Sequence, residues 1–343
     1  MSKRLIVLLI ASVLVLGLYG SAHASNSERP VGQHFTLVDE QNKIVHQTGM
    51  QVYEGDIYIT ADNSRYQVVE IISANTARCV YQGKETMPDI KETKNASLPG
   101  GNIPAAANKT PTIAVYHTHS DESYVPTDGK ESIEGNGGIY DVGEVLVNEL
   151  RKRGFNVQYS KNNHNPHDIN AYHRSRRTAA ALLKTSPDVI LDVHRDAVPA
   201  SQYQTNVKGE EATKIKLVVG RTNPNMKTNL DFAKRIKAVM DNRAPGLSNG
   251  IFIGKGDFNQ DLSPRAMLIE VGAHTNNKSD AKNGVQLFAD IMPAVLGVSA
   301  GQTTGQPATQ ENQGAWTTIL IIAVVVGAAA AGYYFLNRGA IRK

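Results

Sequence analysis

Cysteine is almost absent from this sequence: Cys79 stands alone among 343 residues. An intrachain disulfide is therefore excluded. The residue sits in a strand-like run, Thr76–Tyr81, where a small core residue is the simplest reading. Exported chains without cystine are ordinary where no strongly oxidising compartment exists, which points to a Gram-positive-type envelope. An excess of charge of either sign is also lacking, with 36 Lys and Arg against 32 Asp and Glu and a net of only +4. No basic stripe accompanies it, so nucleic acid is not an expected partner. The sequence has no G-x-S-x-G elbow and no plausible cysteine nucleophile, which disfavours covalent hydrolysis.

The ends carry targeting signals. Lys3 and Arg4 precede an apolar stretch from Leu5 to Leu18, and Ala22-His23-Ala24 supplies small residues for cleavage. Residues 1–24 read as a signal peptide. Trp316 to Phe335 holds no charged residue and is long enough to span a bilayer, with Arg338, Arg342 and Lys343 behind it. The expectation is a transmembrane helix at 316–336 and a cytoplasmic tail at 337–343. That localises the protein to the cell membrane as a single-pass chain with an extracytoplasmic catalytic domain.

Between the ends, strand signals and turn clusters at 31–90 read as a small all-β domain. Residues 91–110 and 298–315 read as linkers. From 111 to 297 apolar runs alternate with helical patterns such as Val142, Leu146 and Leu150. This rhythm predicts an α/β domain with a mainly parallel twisted sheet and helices on both faces.

Three of the apolar runs end in residues that carry chemistry. His117 and His119 follow Thr112-Ile113-Ala114-Val115-Tyr116, His194 follows Val189-Ile190-Leu191-Asp192-Val193, and Glu270 follows Ala266-Met267-Leu268-Ile269. Strand C-terminal ends are where open α/β sheets bind ligands. Catalytic zinc takes three protein ligands and keeps one position for water. His117, Glu122 and His194 make such a set, with Glu122 folded back by the loop after His117. Glu270 then stands outside the metal's ligands as a carboxylate that moves a proton from water to a leaving amine. His119 keeps three roles open: ligand in place of His117, transition-state donor, or support behind the ligands. Asp121, Asp192 and Asp196 compete as carboxylates, and Asp192 alternates with His194 along its strand, placed to orient it. His164, His167 and His173 read as solvated. On this reading His117→Ala costs more zinc affinity than His119→Ala.

The segments His117-Thr118-His119-Ser120-Asp121-Glu122-Ser123-Tyr124, Asp192-Val193-His194-Arg195-Asp196-Ala197 and Asn259-Gln260-Asp261-Leu262-Ser263-Pro264-Arg265, with Leu268-Ile269-Glu270-Val271-Gly272 and Thr275-Asn276, resemble the stage II sporulation protein P family. The resemblance spans Pro111 to about Leu296. It implies a zinc amidase-like catalytic domain at 111–297 that cleaves the bond between N-acetylmuramic acid and L-alanine in peptidoglycan, with endopeptidase activity on cross-links. It also implies a lytic transglycosylase and a membrane scaffold as partners in sporulation engulfment. By this resemblance His117 and His194 match metal-site histidines, Glu122 the motif's carboxylate, and Glu270 the catalytic glutamate of related amidases. Family members commonly carry an N-terminal anchor, and the C-terminal span expected here departs from that pattern. Two other readings stand beside this one: a zinc peptidase acting only on stem peptides, and a metal-free wall-binding or scaffold protein.

Overall fold

The computed structural model of the chain describes residues 29, 32–90, 110–168 and 170–298. In chain order the elements are β1 (Phe35–Val38), β2 (Ile44–Thr48), β3 (Ile57–Ile59), β4 (Ser64–Ser73), β5 (Thr76–Lys84), β6 (Thr112–Tyr116), α1 (Val125–Asp128), α2 (Ile139–Lys152), β7 (Asn156–Tyr159), α3 (Ala171–Leu183), β8 (Val189–Asp196), β9 (Gln204–Val207), β10 (Glu210–Thr213), β11 (Ile215–Gly220), α4 (Met226–Arg243), β12 (Ser248–Gly254), β13 (Ala266–Ala273) and α5 (Lys278–Leu296). Local chemistry explains the hairpins. Asp39 Oδ1 accepts the N–H groups of Gln41 and Lys43 at 3.0 and 2.9 Å. Asn42 takes the left-handed conformation, φ 62°, and so turns β1 into β2.

All strands but β9 and β10 join one 11-stranded sheet, ordered β2-β1-β5-β4-β3-β12-β11-β13-β8-β6-β7. The expected small all-β domain is therefore not separate. Its strand β3 pairs antiparallel with β12, Ile59 opposite Ile251. Nor is the sheet mainly parallel. The pairs β6–β7, β6–β8, β8–β13, β11–β12 and β1–β5 are parallel. The pairs β11–β13, β3–β12, β3–β4, β4–β5 and β1–β2 are antiparallel. The reversal at β11 follows from its connection. Between β8 and β11 the chain makes the β9–β10 hairpin instead of a helical crossover, so it re-enters the sheet from the edge it left. The first residues of β11 therefore lie at the edge where β8 and β13 end.

Period-two alternation divides the core between the faces. Leu217, Val219, Ile251, Ile253 and Ile269 pack with α2, α4 and α5, whose apolar stripes include Val142, Leu146, Leu150, Ile236 and Phe288. Their neighbours Val218, Phe252 and Leu268 face the other way and pack on Phe35, Leu37, Val68 and Cys79. Helix α3 covers Ala114, Tyr116 and Ile190 through Ala179. Helices on both faces is thus only part of the arrangement, because the N-terminal strands cover much of the second face. Cys79 is fully buried, its Sγ 3.2 Å from Val38 O, and burial pushes its thiol up to about 12.

The membrane expectation is corrected as well. Among the described residues no helix is long and apolar enough to cross a membrane. The longest, α5, carries Lys278, Asp280, Lys282 and Asp290, charges that the hydrocarbon core does not admit cheaply. The described residues therefore hold no transmembrane helix, and the single-pass localisation draws no support from them. The segments read as signal peptide, linkers, span and tail lie outside the described residues, apart from Thr110 and Val298 at the linker edges.

The seam between the N-terminal strands and the rest of the sheet depends on Gly250. Its φ is +86°, and a Cβ there would lie 2.2 Å from Ile59 O. Gly250→Ala is expected to lower the unfolding free energy by about 2–4 kcal/mol, from left-handed strain and the clash with backbone together. Urea denaturation measures it, and an unchanged midpoint would show that the seam tolerates a side chain.

Candidate metal centre

Past the end of β6 the chain is steered by a carboxylate on its neighbour. Asp192 in β8 accepts the Thr118 N–H at 2.8 Å and the Thr118 hydroxyl at 2.6 Å. From there the loop doubles back. Ile133 N–H bonds Asp121 O at 2.8 Å, and Ile139 N–H bonds Glu122 O at 2.9 Å. The approach is close enough that a Cβ on Gly137 would meet Glu122 O at 2.5 Å.

This folding brings His119, Glu122 and His194 together. All three are buried, and one ligand atom from each lies within 4.8 Å of the others. Glu122 Oε1 is 3.4 Å from His119 Nδ1 and 3.3 Å from His194 Nδ1. Glu122 Oε2 accepts the Arg195 N–H at 2.9 Å. The Arg195 guanidinium holds the loop, donating to Glu131 O at 2.9 Å and Ser123 O at 3.4 Å. Asp192 Oδ1 lies 3.0 Å from His194 Nε2, the backing contact expected of it.

His117 does not join them. Its Nδ1 lies 2.8 Å from Val193 O and its Nε2 2.9 Å from the Tyr159 hydroxyl. A carbonyl only accepts, so Nδ1 carries the hydrogen and Nε2 accepts from Tyr159. Both ring nitrogens are engaged, and the ring stands edge-on to Tyr140 at 5.2 Å. His119 takes the place that the sequence reading gave to His117, stacked on His167 at 3.8 Å.

Glu270 reaches the site by register: it is the parallel partner of His194 across β13 and β8. It is buried, and its Oε2 has no hydrogen-bond partner among the described residues. Asp121 is bound away from the cluster, to His167 Nδ1 at 3.2 Å and to the Ser132 hydroxyl. Of the histidines read as solvated, only His173 is exposed. His164 is buried between His117 O and the Thr178 hydroxyl, at 2.7 and 2.8 Å.

Charge is distributed unevenly. Burial works against the charge on His194, but Asp192 and Glu122 outweigh it and hold the imidazole well above its usual range. Burial likewise opposes the charge on Glu122, yet His194 and Arg195 hold its carboxyl far below the usual range. Glu270 goes the other way. Burial, with Asp196 nearby, pushes it well above the carboxylate range against the pull of Lys216 and His194. The centre thus has one carboxylate held ionised and one that holds its proton strongly. Such divided environments separate acid–base roles. Lys216, cross-strand partner of Glu270, went unnoticed in the sequence although a readable signal was there: a lysine inside the apolar run Ile215–Val219.

A family model described as stage II sporulation protein P matches residues 33–293. A stage II sporulation protein P of Bacillus subtilis (strain 168) is 27% identical over 296 residues, covering 79% of this chain and 73% of that protein. Among solved structures, an N-acetylmuramyl-L-alanine amidase from Mycobacterium smegmatis gives a TM-score of 0.36 at 17% identity, over 58% of this chain and 100% of that one. An N-acetylmuramoyl-L-alanine amidase from Clostridium difficile 630 gives 0.33 at 16%, over 57% of this chain and 99% of that one.

The burial of neutral His117 has a consequence for stability. Burial lowers its pKa from 6.5 to about 4. Between those values the unfolded chain holds the proton and the fold does not, so stability rises with pH across the window. The contribution is complete above about 6.5 and is lost as pH falls towards 4, a loss on the order of 3 kcal/mol. Metal-free protein is expected to weaken through this window, and His117→Gln to flatten the slope. Urea unfolding at a series of pH values measures both, and equal slopes would exclude His117 as the responsible group.

Proposed function

The chain belongs to the stage II sporulation protein P family, and on that premise we propose that it is a peptidoglycan hydrolase of sporulating cells. Its reaction is that of a zinc-dependent N-acetylmuramoyl-L-alanine amidase with endopeptidase activity on cross-links, acting in engulfment. The observation that carries this reading is the buried cluster of His119, Glu122 and His194, with Glu270 one strand pair away.

The donor set suits the metal. Two imidazoles and one carboxylate are a common ligand set of zinc hydrolases. Glu122 and Asp192 also set two carboxylates against His194 in a buried site, and buried negative charge calls for a cation. His119, Glu122 and His194 would hold the ion. When bound, zinc supplies a Lewis acid for the amide carbonyl and lowers the pKa of water to about 7.

The remaining chemistry falls to the chain itself. Asp192 fixes the ring of His194, and the Arg195 N–H fixes Glu122. Glu270, whose surroundings strengthen its hold on a proton, takes one from the attacking water. It then gives that proton to the amide nitrogen as the C–N bond breaks, so the sugar side leaves as a lactyl acid and the peptide as a free amine. The partners implied by the resemblance, a lytic transglycosylase and a membrane scaffold, belong to the same proposal.

Mass spectrometry of digested peptidoglycan tests the reaction: free L-alanine amino termini are expected, and intact lactyl-alanine bonds after complete digestion would leave only a peptidase. The expected order of the histidines is the reverse of the sequence reading. His119→Ala lowers zinc affinity by about 100-fold or more, while His117→Ala, which acts from behind the ligands, costs about 10-fold or less. Chelator competition measures this, and equal losses would undo the ligand assignment. Glu270→Gln is expected to keep zinc and to lower turnover by about 10²–10⁴-fold.

A further inference from the structure

A buried ion pair stands beside Glu270 and is not accounted for by the reaction as described. Lys216 is fully buried. It lies directly opposite Glu270 in the antiparallel register of β11 and β13. Side chains of such partners leave the same face about 5 Å apart. Because β11 runs against β13, this lysine, its second residue, arrives at the edge that carries His194 and Glu270.

Its position is set from below. Lys216 Nζ donates to Asp196 Oδ2 and, at 2.9 Å, to the Thr48 hydroxyl. Asp196 is itself held on both oxygens. Oδ1 accepts the N–H of Gly49 at 2.6 Å and of Ala197 at 2.8 Å, and Oδ2 accepts the Tyr203 hydroxyl at 2.8 Å. Two of these groups, Thr48 and Gly49, come from the end of β2 and the residue after it, in the N-terminal strands. The fit there leaves no room for a side chain: a Cβ on Gly49 would meet Ala197 Cβ at 2.8 Å and Asp196 Oδ1 at 3.0 Å.

A lysine taken wholly out of water is costly unless it is paired. Asp196 and Thr48 supply that pairing, so the cation is held on the face that also carries Glu270, whose Oε2 has no hydrogen-bond partner among the described residues. Taking Glu270 as the proton-transfer group of the proposed amidase, we propose that Lys216 is its positioning residue and that Thr48 and Gly49 make the N-terminal strands part of the catalytic unit. A fixed ammonium opposite Glu270 orients the carboxylate and stabilises it when it is charged. The N-terminal strands hold that ammonium in register.

The test uses the full zinc-loaded chain and a soluble muramyl-peptide substrate, with Lys216→Met, Thr48→Val, Glu270→Gln and the double variant Lys216→Met/Glu270→Gln. Lys216→Met is expected to keep its zinc and to lower kcat about 100-fold with KM within about 3-fold. In the Glu270→Gln background the same change is expected to cost less than about 3-fold, because the two residues act as one unit. Thr48→Val, which leaves the ion pair in place, is expected to lower kcat about 5-fold without loss of zinc. Equal losses from Lys216→Met in both backgrounds would overturn the proposal. So would a wild-type kcat in Lys216→Met while Glu270→Gln is inactive. Should Lys216→Met fail to fold, Thr48→Val decides alone, and an unchanged kcat there overturns the proposal. Full turnover in Glu270→Gln would overturn the role of Glu270 itself, and with it this proposal.

Discussion

A carboxylate with no water around it, Glu122, is the group on which the rest of the centre depends. An ionised carboxyl that is buried and unpaired costs several kcal/mol, so the fold must bring donors to it. It does so from two directions. Arg195 offers its backbone N–H to Oε2 from the end of β8, while its guanidinium, His119 and His194 face Oε1. The same Arg195 that donates to this carboxylate also donates to Glu131 O in the loop from Thr118 to Ile139. The hydrogen bonds that close it run through the backbone of Asp121 and Glu122 themselves. The geometry of the centre and the stability of the loop are therefore one problem, solved by the same few bonds.

Much of this was legible in the sequence because buried strands announce themselves. The continuous apolar runs before His117, before His194 and around Glu270 are strands β6, β8 and β13, and they are neighbours in the sheet. Which histidine faces the cluster was not legible. A strand alternates its faces, but His117 and His119 lie past the end of β6, where that rule stops. The choice is made by Asp192 capturing Thr118 and by Val193 O capturing His117. Both are contacts across about 75 positions of sequence, and local pattern cannot see them.

The N-terminal strands show the same limit on a larger scale. Their turn chemistry, Asp39 to Asn42 for example, was readable residue by residue. That they would extend the main sheet was not, because the joining contacts are Ile59 with Ile251 and the core of Phe35, Leu37 and Val68 against Val218, Phe252 and Leu268. A segment of about 50 residues has too little core to be stable alone. Packed here, it borrows the far face of strands whose near face is already covered by helices.

That borrowing links stability to chemistry. Val218 and Lys216 leave the same face of β11, two residues apart. The first is buried by the core of the N-terminal strands, and the second is bonded by Thr48 of the same strands. Loosening this layer would therefore disturb more than a remote hydrophobic contact. It would free the partners of Asp196, release Lys216 from its place opposite Glu270, and leave two buried carboxyls without their shared cation. Since an unpaired buried charge is worse than none, the polar groups at this edge pull in the same direction as the apolar ones. Both require the N-terminal strands to lie where they do, and the glycine at position 49 lets them come that close.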